Sequence, residues 1–343
     1  MKAIFDERQL AHSPQKYISN GVASTCPEQP ARADALYAGA MAAGCTFDTP
    51  SDHGMQPIAG VHSPEYLVFL ETIHKLWKQN PDAPDEILSS VRPDRRTASY
   101  PSSALGLAGY HQTDMSCPIN SHTWESAYWS AQTALSAADL VLEGEHQAYA
   151  LCRPPGHHAF SDLAGGFCFL NNSAIAADYL LGKGLKPAIL DVDVHHGNGT
   201  QGIFYERDDV LTVSIHGDPS GFYPFYWGHA HERGEGRGRG YNLNLPLPMG
   251  SSDAVFLDAL TTALQRIKAF GADIIVVALG LDAHEADPFQ ALKVTSGGFA
   301  QIGAAIAAAG LPVLFVQEGG YLQPELGGNL TSFLNGAQEQ GNQ

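Results

Sequence analysis

Short runs of continuous apolar residues recur along this chain, separated by longer amphipathic or alanine-rich stretches. The runs 3–5, 148–151, 188–191, 211–215, 273–279 and 313–317 show little polar alternation, the mark of strands buried on both faces. The stretches 31–43, 64–79, 124–142, 172–181, 253–270 and 298–309 have the length and spacing of helices. Alternation of this kind points to a parallel sheet with helices packed on both sides. No internal repeat and no linker interrupts it. Residues 1–343 are therefore expected to form a single α/β domain.

Composition agrees with a buried core. Hydrophobic residues make up 44% and charged residues 16%, which argues against disorder. The formal net charge of -17 disfavours nucleic acid, whose phosphates would repel the chain, and favours small cationic ligands. Five cysteines without a C-x-x-C pair read as reduced, intracellular thiols. No apolar h-region opens the sequence, and the longest apolar run, 274–281, is too short to span a bilayer. A soluble, cytoplasmic protein with no membrane partner is expected.

Periodicity weakens between residues 81 and 118, where Pro, Ser and Arg accumulate. A long irregular stretch within a compact domain is usually functional or mobile. The cluster Arg92, Arg95 and Arg96 reads as a solvated face in so acidic a chain.

The chemistry collects just after four of the buried strands. The run 148–151 leads into Arg153-Pro154-Pro155-Gly156-His157-His158, and 188–190 into Asp191-Val192-Asp193-Val194-His195-His196-Gly197. The run 273–279 leads into Gly280-Leu281-Asp282-Ala283-His284, and 313–316 into Gln317-Glu318-Gly319-Gly320-Tyr321. Ligands of open α/β sheets bind beyond the carboxyl ends of the strands. Side-by-side strands would bring all four groups to one pocket.

Asp193 and His195, two apart on an extended segment, point to the same side. Asp282 adds a third ligand from another strand end. Two carboxylates and one imidazole leave coordination positions open, as catalysis requires. Zn²⁺ is the default occupant, and Fe²⁺ or Co²⁺ also suits the donor set. His157 and His158 follow a stiff Pro-Pro-Gly turn and are candidates for a general base, with Asp191 as orienting partner. Tyr321, after two glycines that allow it to move, is a candidate hydrogen-bond donor to a developing oxyanion. His196 reads as structural, and His284 carries no assigned role.

Two other chemistries find no support. The glycine-rich segment 234–240 resembles a phosphate loop, yet residues 241–245 read as a strand, so the helix N-terminus that would hold a phosphate is missing. No G-x-S-x-G nucleophile elbow occurs, and no cysteine has a triad setting.

Together with Gly165-Gly166-Phe167-Cys168 and Asn198-Gly199, these motifs stand in one order over about residues 1–330. As a set they resemble the histone deacetylase superfamily, which shares its fold with the arginases. The stretch Val91-Arg92-Pro93-Asp94 to Gly109-Tyr110, leading to Thr123-Trp124-Glu125, looks like the bacterial acetylpolyamine amidohydrolase branch.

The resemblance implies an arginase-like fold, with Asp193, His195 and Asp282 as Zn²⁺ ligands and His158 as general base and acid. It implies His157, paired with Asp191, as electrostatic companion, and Tyr321 polarising the acetyl carbonyl. Phe167, with Gly166 beside it, and Tyr223 would flank a narrow tunnel. A structural K⁺ is implied near Asp191, Asp193, His195, Ser214 and Ile215. A homodimer is also implied, with segment 81–118 inserted to narrow the entrance.

The chain departs from the family pattern twice. Asn198 stands where many relatives carry aspartate. No glutamate of the inserted segment aligns with those that meet a distal ammonium, and Asp114 is the acidic residue nearest that place. The implied activity is hydrolysis of acetylated polyamines such as acetylputrescine or acetylcadaverine. The alternative is a broader deacetylase of acetyl-lysine in peptides or proteins.

Overall fold

A computed structural model describes residues 1–94 and 99–341. Its strands are β1 (Lys2–Ile4), β2 (Lys16–Ser19), β3 (Val22–Thr25), β4 (Thr46–Asp48), β5 (Gln147–Ala150), β6 (Pro187–Asp191), β7 (Leu211–Gly217), β8 (Asn242–Leu247), β9 (Ile274–Leu279) and β10 (Val313–Gln317). Its α-helices are α1 (Ala31–Ala42), α2 (Gln56–Ala59), α3 (Pro64–Trp77), α4 (Ala104–Tyr110), α5 (Thr123–Leu142), α6 (Asn172–Gly182), α7 (Asn198–Phe204), α8 (Asp253–Phe270), α9 (Ser296–Ala307) and α10 (Leu326–Gly341).

Eight strands form one sheet in the order β4-β1-β5-β10-β9-β6-β7-β8. Every neighbouring pair in it is parallel. Successive side chains of a strand point to opposite faces, and both faces are covered. Ile275, Val277 and Leu279 pack with Leu36, Leu260, Phe299 and Phe333 of α1, α8, α9 and α10. Ile274 and Val276 pack instead with Tyr66, Leu135 and Ile175 of α3, α5 and α6. Continuous apolar strands are the consequence of this double burial.

Helix ends follow local chemistry. Ser63 caps α3 by accepting the Tyr66 N–H, and Pro64 occupies the first turn, where its missing donor costs nothing. Thr295 caps α9 through the Gly298 N–H. Gly271, at φ 72°, closes α8 in the left-handed conformation that glycine adopts without strain.

The four strands expected to carry the chemistry are contiguous in the sheet, as β5-β10-β9-β6. Their register places Ala150, Val316, Ala278 and Asp191 in one row across the sheet. The four motifs leave the sheet at the same level, so the topology itself assembles the site.

Some elements were not expected from the sequence. The edge strand β4 is three residues long, and no residue of the hairpin β2–β3 is buried. Neither carries a buried apolar pattern to read. Helix α10 opens on Gly327-Gly328, which hides a real periodicity in the buried residues Leu326, Leu330, Phe333, Leu334 and Ala337.

The irregular segment 81–118 is partly anchored in the core. Ile87 bridges Ile119, and both are buried with Cys117. Arg92 corrects the solvated-face reading: its guanidinium is half-buried and donates to the Ser89 and Asp114 carbonyls. These bonds hold Arg92 inward. Arg95 and Arg96 lie outside the described residues.

Helices α9 and α10 approach so closely that a Cβ on Gly303 would stand 2.2 Å from the Phe333 carbonyl oxygen. Gly303→Ala is therefore expected to destabilise the protein by about 1–3 kcal/mol. A urea melt should show a lower midpoint with an unchanged slope; an unchanged midpoint would mean that the two helices separate freely.

Candidate active site

Beyond the row of strand ends, Asp193 and His195 follow β6 and Asp282 follows β9. All three are buried, and one donor atom from each lies within 4.8 Å of the others. His195 Nδ1 stands 3.2 Å from Asp193 Oδ1 and 3.0 Å from Asp282 Oδ2. Backbone donors aim the carboxylates: the Gly319 N–H donates to Asp193 Oδ2 at 2.8 Å, and the Val194 N–H to Asp282 Oδ1 at 3.0 Å. A Cβ on Gly319 would sit 2.3 Å from an Asp282 oxygen and 2.5 Å from an Asp193 oxygen. Glycine is needed there for the carboxylates to approach.

Two buried carboxylates at this distance require a positive charge between them. Burial works against charge on His195, but its hydrogen bonds to Asp193 and Asp282 prevail and push the imidazole up to about 9. A divalent cation would replace that proton, on one nitrogen and two oxygen donors. The residues thus fit a metal with open positions. A second buried group, His157, Cys168 and Glu318, is equally compact. Its atoms are already committed: Glu318 accepts the Gly156 and His157 N–H groups and the Ser173 hydroxyl.

The paired histidines follow β5 and stand with ring centroids 4.0 Å apart, in opposite electrostatic settings. His157 Nδ1 lies 2.9 Å from Asp191 Oδ2. Burial opposes its charge, but Asp193 and Asp191 outweigh burial and hold the imidazole well above its ordinary range. His158 is driven the other way, by burial and then by the positive charges of His157 and His195. Its Nδ1 is 2.7 Å from the Asn198 side-chain oxygen. A neutral imidazole donates that bond and leaves Nε2 as an acceptor. Neighbouring groups pushed to opposite charge states are the pattern of an acid–base site.

Tyr321 lies on the opposite wall. Hydrogen bonds hold the peptide between Gly320 and Tyr321 at both ends. Its N–H donates to Asp287 Oδ2 at 3.0 Å, and the Gly320 carbonyl accepts from Arg32 Nε at 2.5 Å. The ring is 4.9 Å from Phe289 and 5.7 Å from Phe167, with the Arg32 guanidinium 4.8 Å from its centroid. Burial raises the phenol well above its ordinary range, with Arg32 opposing, so the hydroxyl keeps its proton.

Aromatic rings wall the approach. Tyr223 meets His158 edge-on at 4.9 Å, Phe222 stacks on His195 at 4.8 Å, and Tyr17 packs on Phe167 at 5.6 Å. Gly166 is required where it stands, because a Cβ there would be 2.3 Å from His158 Cδ2. Asp114, half-buried, accepts from the Tyr223 hydroxyl at 2.5 Å and the Gly166 N–H at 3.1 Å. It therefore ties segment 81–118 to the wall.

Other expected residues fall outside this cluster. His196 is buried against Gln201, and His284 accepts the Ala286 N–H. Asp191 and Ser214 border a cavity of about 10 Å³, room for one water or ion. Ser214 Oγ lies 2.8 Å from His216 Nδ1, and Ile215 is buried on β7. Sequence reasoning missed Arg32, Glu28, Asp287, Phe222 and Phe289, and gave Glu318 no role. Only Glu318 carried a signal, as a carboxylate directly after the apolar run of β10.

Comparison with known proteins agrees over nearly the whole chain. The family described as the histone deacetylase domain matches residues 26–337. The acetylpolyamine amidohydrolase of Burkholderia pseudomallei is 48% identical over 337 residues, 98% of each chain. Its counterpart in Mycoplana ramosa is 43% identical over 340 residues, 98% of this chain and 99% of its own. A crystal structure of the Burkholderia pseudomallei acetylpolyamine aminohydrolase shares the fold at a TM-score of 0.96, with 48% identity and 99% of both chains covered.

Zn²⁺ at about 100 times its Kd should stabilise the folded protein by about 2.7 kcal/mol, seen as a raised Tm. His195→Ala should abolish the shift. An equal shift in the variant would place the metal elsewhere.

Proposed function

The chain belongs to the histone deacetylase family, and from that premise we infer that it hydrolyses the acetamide bond of acetylated polyamines to acetate and free amine. The observation that carries this reading is end-to-end likeness to acetylpolyamine amidohydrolases at 43–48% identity, in a chain with the acid–base pair, the ligand set and the tyrosine all present. An acidic chain and an aromatic approach suit slim cations.

Asp193, His195 and Asp282 would hold Zn²⁺, with Fe²⁺ or Co²⁺ also compatible. When bound, the metal polarises the acetyl carbonyl and lowers the pKa of water at its open position. Neutral His158 takes a proton at Nε2 from the water that adds to the acetyl carbon, and returns it to the amine nitrogen as the C–N bond breaks. His157, charged against Asp191, keeps His158 from being protonated beforehand. The Tyr321 hydroxyl donates to the oxygen that gains negative charge. Phe167 and Tyr223 would flank the methylene chain, and Asp114, beside Tyr223, would supply negative charge for the distal ammonium.

A structural K⁺ near Asp191, Asp193, His195, Ser214 and Ile215 follows from the family resemblance. Five free, buried cysteines suit a reducing cytoplasm. Among the described residues, no helix is long and apolar enough to cross a membrane. The homodimer rests on the family resemblance alone.

The reading is tested by acetate release from acetylputrescine, acetylcadaverine and an acetyl-lysine peptide at equal concentration. The diamines should be strongly preferred; preference for the peptide would make this a protein deacetylase. Tyr321→Phe should keep its metal and lose about a hundred- to a thousandfold in kcat, and near-normal turnover would remove the tyrosine from the mechanism. His158 must be neutral to act, and its surroundings lower its pKa. The acid limb of kcat/KM should therefore lie below the ordinary histidine value of about 6.5. Asn198→Asp sets a carboxylate against the His158 Nδ1–H, raises that pKa and should move the limb to higher pH; an unmoved limb would assign it to another group.

A further inference from the structure

We propose that Asp287 is a positioning residue for the reaction, setting the place of Tyr321 and of the aromatic ring beside it. This rests on the role proposed for Tyr321. Asp287 is fully buried and lies in the loop after β9, five positions beyond Asp282. Its two oxygens do separate jobs: Oδ2 accepts the Tyr321 N–H at 3.0 Å, and Oδ1 accepts the Phe289 N–H at 2.9 Å. One carboxylate thus ties the loop after β9 to the loop after β10.

Both tethered residues face the reacting centre. Phe289 touches Tyr321 edge-on at 4.9 Å and His195 at 5.1 Å. Tyr321 follows Gly320, whose φ of 110° belongs to a backbone with no side chain to restrict it. The Asp287 bond and the Arg32 bond to the Gly320 carbonyl hold the peptide from both ends.

A carboxylate is needed because both partners are donors. Asparagine offers one acceptor oxygen and turns an NH₂ group toward the other N–H, leaving it unpaired. If that oxygen keeps the Phe289 N–H two residues on, the Tyr321 N–H is the one released. Misplacing a reacting group by about 1 Å costs on the order of a hundredfold in rate.

The test is a double-mutant cycle on the metal-loaded enzyme, with acetylputrescine as substrate and metal content and Tm measured throughout. Asp287→Asn should lower kcat by about ten- to a hundredfold, with KM and metal stoichiometry nearly unchanged. In the Tyr321→Phe background the same change should have little further effect, because its target is gone. Asp287→Ser, smaller and with one acceptor, should behave alike and serves if the asparagine variant folds poorly. Full additivity, or a normal kcat in folded Asp287→Asn and Asp287→Ser, would overturn the proposal. A Tyr321→Phe enzyme of normal activity would instead overturn the role of the tyrosine.

Discussion

Parallel pairing of β5, β10, β9 and β6 in one register is the constraint on which the rest depends. Each strand is apolar on both faces and finds a partner for every backbone group only inside the sheet. Parallel strands run the same way, so their carboxyl ends gather at one edge. Chain segments leaving that edge must turn at the same level. Residues 150, 316, 278 and 191 share one row across the sheet. Groups far apart in sequence therefore meet within a few ångströms.

Such crowding brings charges out of water, and most of them are paired. Glu28 sits between Arg32 and Arg153, Asp191 meets His157, and Asp193 and Asp282 share His195. Glu318 and Asp287 accept backbone N–H groups instead, but burial prevails and pushes both carboxyls up to about 7. Removing one member of a buried pair typically costs about 3–5 kcal/mol, while the intact pair adds little net stability. The gain lies in specificity: each pairing admits one arrangement of its loop. His157 and His158 show how far this reaches. Adjacent in sequence, they are driven to opposite charge states by different partners.

Much of this was legible in the sequence where the signal is local. The expected strand 313–317 is β10 residue for residue, because all its neighbours are apolar and a polar motif ends it. The residues of the Asp-x-Asp-x-His segment, the paired histidines, Asp282, Asn198 and Tyr321 stand together because each lies within a few positions of a strand end. What escaped acts at long range. Arg32 reaches a carbonyl 288 positions away, and Asp287 an N–H 34 positions away. No periodicity announces such contacts. Tyr321 likewise meets distant partners, Asp287 through its N–H and Arg32 through the Gly320 carbonyl.

The central claim is that one cation, held by Asp193, His195 and Asp282, completes a single hydrolytic centre. Its most direct test is to titrate metal-free protein with Zn²⁺ while following acetate release from acetylputrescine. Activity should rise from none and level off at one metal per chain, and His195→Ala should stay flat throughout. Full activity without metal, or a rise that His195→Ala shares, would contradict the account.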